Sequence, residues 1–154
     1  MSQDETAGIY AREFPSLGRH VQLGIAGSRV LSVEFPESVD DASAEHELLD
    51  RIGAYLSGEP DEFADVTVAM TMPTDTREVL EAVRGVPYGE SASLAQLTRV
   101  VPGRDPDEES DLTAVRDALR ENPAPILLPT HRVRGAPGGA PADVAETLRS
   151  LEGI

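Results

Sequence analysis

Apolar and polar positions alternate in two neighbouring stretches of the chain, residues 20–26 and 29–35, with Gly27-Ser28 between them. A period of two on either side of a two-residue link containing glycine predicts a β-hairpin. Val21, Leu23 and Ile25 are expected to share one face of the first strand. Leu31, Val33 and Phe35 are expected to form the apolar face of the second, with Val30 out of phase. The period then changes. Within 42–56, Leu48, Leu49, Ile52, Tyr55 and Leu56 recur at helical spacing, and Gly58 with Pro60 supplies the stop. This helix should cover the hairpin and leave His46 solvated on its polar side between Glu45 and Glu47. His20 reads as a strand-end residue. Residues 66–70 predict a further strand, and the first nineteen residues, with isolated apolar positions such as Ile9, Tyr10 and Phe14, read as a frayed or edge segment.

Beyond Pro73 the pattern becomes helical. Asp75 followed by Glu78 resembles a capping box, and Val79, Leu80, Ala82, Val83 and Val86 form the stripe of a helix running to about Val86. Pro87-Tyr88-Gly89-Glu90 breaks it. A short helix from Ser93 to Val100 follows with Leu94, Leu97 and Val100 inward, and Pro102-Gly103 ends it. After an acidic link, 105–111, another helix places Leu112, Val115 and Leu119 on its apolar face and Arg116 and Arg120 at i, i+4 on another. Two short helices joined by a turn, the second carrying arginines, match a helix-turn-helix, a pattern that any small helical domain also produces.

Asn122-Pro123 stops that helix, and the chain enters its densest cluster of functional groups. Ile126-Leu127-Leu128, enclosed by Pro123, Pro125 and Pro129, reads as a short buried strand delivering a rigid turn, because proline fixes φ and disfavours helix in the residue before it. The turn presents Thr130, His131 and Arg132 in succession, a hydroxyl, an imidazole and a guanidinium. Beyond a Gly/Pro/Ala loop at 135–139, Pro141 fits the first turn of a last helix with Val144, Leu148 and Leu151 inward and Gly153 closing it. Glu152, at the end of that helix, is the carboxylate placed to matter to His131.

Composition narrows the chemistry. The 154 residues suffice for one substantial core or two small subdomains sharing an interface. The absence of cysteine excludes disulfides, thiolate metal sites and cysteine nucleophiles, and His20, His46 and His131 show no local metal spacing, so neither metal nor cofactor is expected. No apolar run reaches membrane-spanning length and the first residues lack the form of a signal peptide, which leaves a cytoplasmic location as the expectation. The net charge is −15 and all 13 basic residues are Arg. An acidic, lysine-free chain fits a salt-rich cytoplasm of the halophilic archaeal kind; an ordinary acidic protein of a high-GC genome is the alternative. In ordinary salt the acidity opposes nucleic-acid binding, whereas molar salt screens the long-range field and leaves local patches to decide.

Val86-Pro87-Tyr88-Gly89-Glu90, Ala114-Val115, Asn122-Pro123, Pro125-Ile126, Pro129, His131-Arg132-Val133 and Leu151-Glu152-Gly153 agree in order and spacing with one family. Over about half its length the chain resembles the O6-alkylguanine-DNA alkyltransferases, suicide repair proteins that move an alkyl group from guanine onto their own cysteine. The resemblance implies an α+β fold: a small N-terminal α/β domain over 1–72, made of the hairpin, helix and strand, then a mainly helical, winged-helix-like DNA-binding domain with a helix-turn-helix over 73–154. It implies a monomer that enters the minor groove of double-stranded DNA and flips O6-alkylguanine into a pocket, since the O6 substituent is unreachable in the stack. In the family a histidine and a glutamate lower the thiol's pKa, positions matched by His131 and Glu152, and Asn122 matches an asparagine that braces the active-site turn.

The departures fall on the chemistry. Thr130 stands in the place of the acceptor cysteine, and a hydroxyl is deprotonated far less readily and is a weaker nucleophile toward an alkyl carbon. Thr113 replaces the arginine that fills the vacated base stack, Leu94 the tyrosine that helps rotate the phosphate, and Ala145 aligns with an active-site lysine. Arg116, one turn beyond Thr113, is the candidate substitute for the missing arginine. Ser93, Leu94, Thr113, Arg116, Arg120 and Arg132 form the expected DNA-contacting set. The acidic run 105–111 suits a helix N-terminus but repels phosphate. Three functions are open: lesion recognition without alkyl transfer, flagging damage for other repair proteins; an interaction or regulatory protein that no longer engages DNA; or an enzyme with Thr130 as acceptor or His131 activating water. His131 and Arg132 likewise serve either a guest base or the loop itself, through Glu152 and backbone carbonyls.

Overall fold

Each alternating stretch buries one face, and together they build a sheet. In the computed structural model, which describes residues 7–39 and 42–154, β1 (Ala7–Phe14), β2 (Arg19–Ala26), β3 (Arg29–Glu34) and β4 (Thr67–Val68) are ordered β1-β2-β3-β4. The first three run antiparallel, and β4 joins β3 in parallel. The expected hairpin is β2–β3, and its turn uses Gly27 at φ 65°, a left-handed conformation that glycine adopts without a Cβ clash. The edge segment expected before it is β1. The frayed reading of residues 1–6 lies outside the described residues.

The phase expected for β3 is corrected by a bulge. Leu23 pairs with Val33 and Gly24 with Ser32, but Ile25 pairs with Val30, so Leu31 has no partner of its own. The extra residue resets the alternation: Val30 and Val33 are buried, whereas Leu31 is 46% exposed.

The covering helix is α1 (Glu47–Leu56), which starts later than residue 42 because His46 caps it. The His46 Nδ1 accepts the Leu48 N–H at 3.0 Å, and its ring lies 4.6 Å from that of Tyr10. His46 is therefore a half-buried N-cap, not a solvated histidine. Leu48, Leu49, Ile52 and Tyr55 of α1 meet Val21, Leu23, Ile25, Val30 and Val33 of the sheet in the first core.

Four more helices follow: α2 (Thr74–Val83), α3 (Leu94–Val100), α4 (Glu109–Arg120) and α5 (Ala142–Glu152). A short parallel pair, β5 (Ala92–Ser93) and β6 (Val133–Arg134), lies beside them. Two expectations for α2 fail. It stops at Val83, short of Val86, and Pro73 rather than Asp75 holds its cap position, with no side-chain bond. The capping box lies instead at α3, where Ser93 and Gln96 satisfy each other's backbone N–H groups. Val100, expected inward, is 65% exposed, and Thr98 and Val101 are buried in its stead. Thr98 tolerates burial because its hydroxyl donates to the Leu94 carbonyl at 2.8 Å. Val79, Val83, Leu94, Leu97, Val115 and Leu119 pack a second core.

The expected strand 126–128 is a run of buried turns. The Leu128 N–H returns to the Ala124 carbonyl at 2.9 Å, and Ile126 adopts φ 81°, a strained conformation for a β-branched residue. Burial holds it there, since Ile126, Leu127 and Leu128 join Leu80, Val144 and Leu148 against the first core. No helix among the described residues is long and apolar enough to cross a membrane.

Candidate functional site

The Glu152 carboxylate is the centre on which the distant parts of the chain converge. It lies at the last turn of α5 with its side chain 0% exposed. Five donors reach it. Arg132 donates from Nε at 2.8 Å to Oε1 and from Nη2 at 3.1 Å to Oε2, and the Gly89 N–H reaches Oε1 at 3.1 Å. The Tyr55 hydroxyl donates at 2.5 Å and His131 Nε2 lies at 2.8 Å, both to Oε2. Arg132 extends the network outward: Nη1 donates to the Val86 carbonyl at 2.7 Å and to Glu62 at 3.2 Å, and the guanidinium lies 5.7 Å from the Tyr88 ring centroid. Glu62 also accepts the Tyr88 N–H at 2.7 Å. The turn 87–90 thus folds onto Glu152 because both its backbone and its aromatic ring are engaged there.

Protonation follows from this packing. Burial alone would raise the pKa of Glu152, but bonds from His131, Arg132, Tyr55 and the Gly89 N–H overcome it and hold the carboxyl at about 2. Burial lowers the His131 pKa despite the opposing pull of Glu152, so the ring is neutral at pH 7. A neutral imidazole beside an ionised carboxylate must carry its proton on Nε2, which leaves Nδ1 as an acceptor; no described residue donates to it. The Tyr55 hydroxyl is raised above its ordinary value, by burial first and then by Glu152.

Stability should accordingly fall in acid. Glu152, depressed in the folded state, stabilises fully above about pH 4.5 and loses that contribution as pH falls toward 2, a difference of about 3 kcal/mol. His131, also depressed, resists protonation in the native state, so stability begins to decline below its unfolded value of about 6.5. Denaturant titrations between pH 7 and 3 should show a steady loss on acidification. A flat profile would mean that water, not protein, solvates the Glu152 carboxylate.

Thr130 sits beside this network, 2% exposed, in a tight turn with His131 and Arg132. The Asn122 amide donates to its Oγ1 at 3.1 Å and to the Leu128 carbonyl at 2.7 Å, while Asn122 Oδ1 accepts the Ala124 N–H at 2.8 Å. No described side chain accepts the Thr130 hydroxyl proton. The loop after β6 presses on the pair. A Cβ at Gly138 would lie 2.2 Å from Thr130 Oγ1, and one at Gly139 would lie 2.4 Å from the Asn122 carbonyl oxygen. A cavity of about 180 Å³ opens between Thr130, His131, this loop and the face of α5 bearing Ala145 and Arg149. An apolar cavity of about 150 Å³ admits a benzene ring, so this one has the scale of a single base edge or small ring.

The residues expected to touch DNA divide. Thr113 and Arg120 are exposed and Arg116 half-buried on α4, and neither arginine has an ion pair or hydrogen bond. Ser93 spends its hydroxyl on the Gln96 N–H, and Leu94 is buried in the second core. Arg132, at 3% exposure, is committed to Glu152, Glu62 and the Val86 carbonyl, which supports the loop-holding alternative for it. Tyr55, Glu62 and Arg149 were missed by sequence reasoning. Tyr55 occupies an ordinary apolar position of an amphipathic helix, and nothing in the sequence marks the other two.

A family model described as 6-O-methylguanine DNA methyltransferase, DNA binding domain, matches residues 75–152. The methylated-DNA–protein-cysteine methyltransferase of Mycolicibacterium paratuberculosis is 33% identical over 68% of this chain and 62% of its own length. This chain therefore spans about three fifths of that relative. The protein of the same name from Methanosarcina acetivorans is 30% identical over 79% of this chain and 78% of its own length. Among solved structures, a variant of the Mycobacterium tuberculosis O6-methylguanine methyltransferase superposes with a TM-score of 0.77 at 25% identity, covering 95% of this chain and 92% of that one. The M. tuberculosis protein in complex with DNA gives 0.67 at 26% identity, covering 83% and 79%. With half its length matched by the family model and 79% of it aligned to a named member at 30% identity, the chain belongs to the O6-methylguanine-DNA methyltransferase family.

Proposed function

We propose that this protein recognises O6-alkylguanine in double-stranded DNA and does not take up the alkyl group. In this reading residues 73–154 form the DNA-binding domain and 1–72 the smaller supporting one, α3 and α4 act as a helix-turn-helix, and the flipped base enters the cavity beside Thr130. The protein acts as a monomer and marks the lesion for other repair proteins. The observation that carries the reading is a cavity of about 180 Å³ beside a buried Thr130 hydroxyl that Asn122 already engages. Thr130 Oγ1 is occupied by Asn122, its proton has no described acceptor, and the chain has no cysteine. His131, which lines the same cavity, nonetheless keeps Nδ1 as an unpaired acceptor. The Thr130 and Arg116 positions enter as candidates for lesion contact and for the missing arginine finger.

Arginine usage also supports DNA. On the sheet and α1, Arg12, Arg19 and Arg51 are each ion-paired to aspartate. On α3 and α4, Arg99, Arg116 and Arg120 have no such partner, although the chain carries an acidic excess of 15 charges. Arginines without an ion pair on α3 and α4 are available for phosphate, although Arg29 on β3 and Arg77 on α2 lack one as well.

The test is a titration of a duplex containing O6-methylguanine against the unmodified duplex, in ordinary and in molar potassium chloride, with intact-protein mass measured afterwards. Tighter binding of the lesion by roughly tenfold or more with unchanged mass is expected. A methyl increment on the protein would restore the enzyme. Arg116→Ala should weaken both duplexes by about threefold to tenfold and flatten the salt slope by about one unit; unchanged affinity would remove Arg116 from the interface.

The second reading, an interaction protein that no longer engages DNA, has its own support in Glu108, Glu109 and Asp111 at the start of α4. Only Asp111 is neutralised, by Arg104 at 2.8 Å. Failure of either duplex to bind at any salt would favour that reading.

A further inference from the structure

Arg149 is an anomaly in this molecule. It lies on α5 and lines the cavity opposite the Thr130-His131 turn, half-buried. Glu146 precedes it by three residues and Glu152 follows by three, both at helical-neighbour spacing, yet the Arg149 side chain makes no ion pair or hydrogen bond. Glu152 is turned away and consumed by Arg132, His131 and Tyr55. Glu146 is exposed. His131 is neutral, so Arg149 is the one formally charged side chain on the cavity wall. Most of the remaining lining is small and uncharged, with Ala136, Gly138, Ala140, Ala142 and Ala145 beside Pro125, Pro137 and Leu148.

Filling such a cavity removes water from the guanidinium. A neutral occupant leaves the cation partly desolvated without an acceptor, which costs free energy; a carboxylate replaces the lost water with two charge-assisted hydrogen bonds in the fork geometry of arginine. The wall therefore discriminates twice, by attraction toward an anionic group and by a penalty against a neutral one. We infer that Arg149 is a specificity-determining residue of this cavity and selects guanine O6 adducts that end in a carboxylate, the O6-carboxyalkyl class, over neutral adducts of equal size. The inference rests on the lesion-recognition reading above and names the kind of lesion that the site favours.

Four duplexes separate the two levels. They carry O6-carboxymethylguanine, its neutral near-isostere O6-carbamoylmethylguanine, O6-methylguanine, or guanine at one position, and each is titrated in molar potassium chloride so that only contact-range charge matters. The carboxymethyl duplex should bind about tenfold tighter than the carbamoylmethyl duplex. Arg149→Gln should abolish that ratio, bringing the carboxymethyl and carbamoylmethyl duplexes to equal affinity, and Arg149→Lys should keep part of it. Equal binding of the carboxymethyl and carbamoylmethyl duplexes, both tighter than guanine, would overturn the role of Arg149 and leave lesion recognition standing. If no adduct exceeds guanine, lesion recognition fails and the inference with it. A uniform loss for all four duplexes in Arg149→Gln would make Arg149 a backbone-phosphate contact and also overturn the inference.

Discussion

Glu152→Gln is expected to destabilise the protein by about 3–5 kcal/mol, because it leaves a buried guanidinium without its carboxylate. For a chain of this length that corresponds to a fall in Tm of roughly 10 °C. The amide has one oxygen to offer where five donors converge, and its own NH2 must point at a group that also donates. Glu62, half-exposed and 3.2 Å from Arg132, compensates little. A double-mutant cycle isolates the pair: Glu152→Leu combined with Arg132→Met should cost less than the sum of the two singles by more than 1 kcal/mol, since the second change removes the stranded charge. Thermal and denaturant unfolding measure both. A Glu152→Gln midpoint within a degree or two of the parent would show that the network is hydrated and energetically slack.

The same network explains what could and could not be read from the sequence. Asn122, Thr130, His131 and Glu152 were legible because they lie close together in the chain within motifs whose spacing is shared with a family, and the structure brings them to one place. Tyr55 was not, because it reaches Glu152 from 97 residues away and its position satisfies the helical apolar stripe as well as any core residue. A buried tyrosine must find a partner for its hydroxyl, and that requirement is the one signal the sequence offered.

Fold elements failed for a different reason: periodicity sees regular backbone only. It placed β2, β3, α1 and α5, then failed at Leu31, where a bulge inserts one residue, and at Ile126, where a positive φ has no sequence preference to announce it. The three prolines around 126–128 signalled non-helical chain correctly, but a strand and a buried turn share that signal. At Val100 the helix was too short for its stripe to be determined by three apolar residues, and Thr98 took the inward place by satisfying its own hydroxyl.

The N-terminal half is more than a neighbour to the site. Tyr55 donates to Glu152, Glu62 bridges Arg132 and the Tyr88 backbone, and Arg84 of the C-terminal half bonds the Phe63 and Val66 carbonyls at 2.5 and 2.6 Å. The Val33 N–H also donates to the Pro123 carbonyl at 2.8 Å, beside Asn122. The orientation of His131, and with it the free Nδ1, therefore depends on residues from both halves of the chain.

Thr130→Cys is expected to turn a protein whose mass is unchanged by alkylated DNA into one that gains a single methyl group per chain. The new thiol would take the place of a hydroxyl that already lines the cavity, within reach of the Asn122 amide that now donates to Thr130 Oγ1 at 3.1 Å. A thiol ionises near pH 8.5, within range of a neutral imidazole, whereas an alcohol does not. Glu152 fixes the Nε2–H tautomer of His131, so Nδ1 is free to take the thiol proton directly or through a water. The thiolate then attacks the methyl carbon, the bond from that carbon to O6 breaks with its electrons, and guanine is released on protonation. Intact mass after incubation with an O6-methylguanine duplex reads the result, and Thr130→Ser serves as the control that keeps a hydroxyl. A variant that binds the lesion and stays unmodified would place the defect at the turn itself, where Gly138 closes on residue 130. A variant that binds no lesion would place it in the DNA contacts, with Leu94 and Thr113 the first positions to restore.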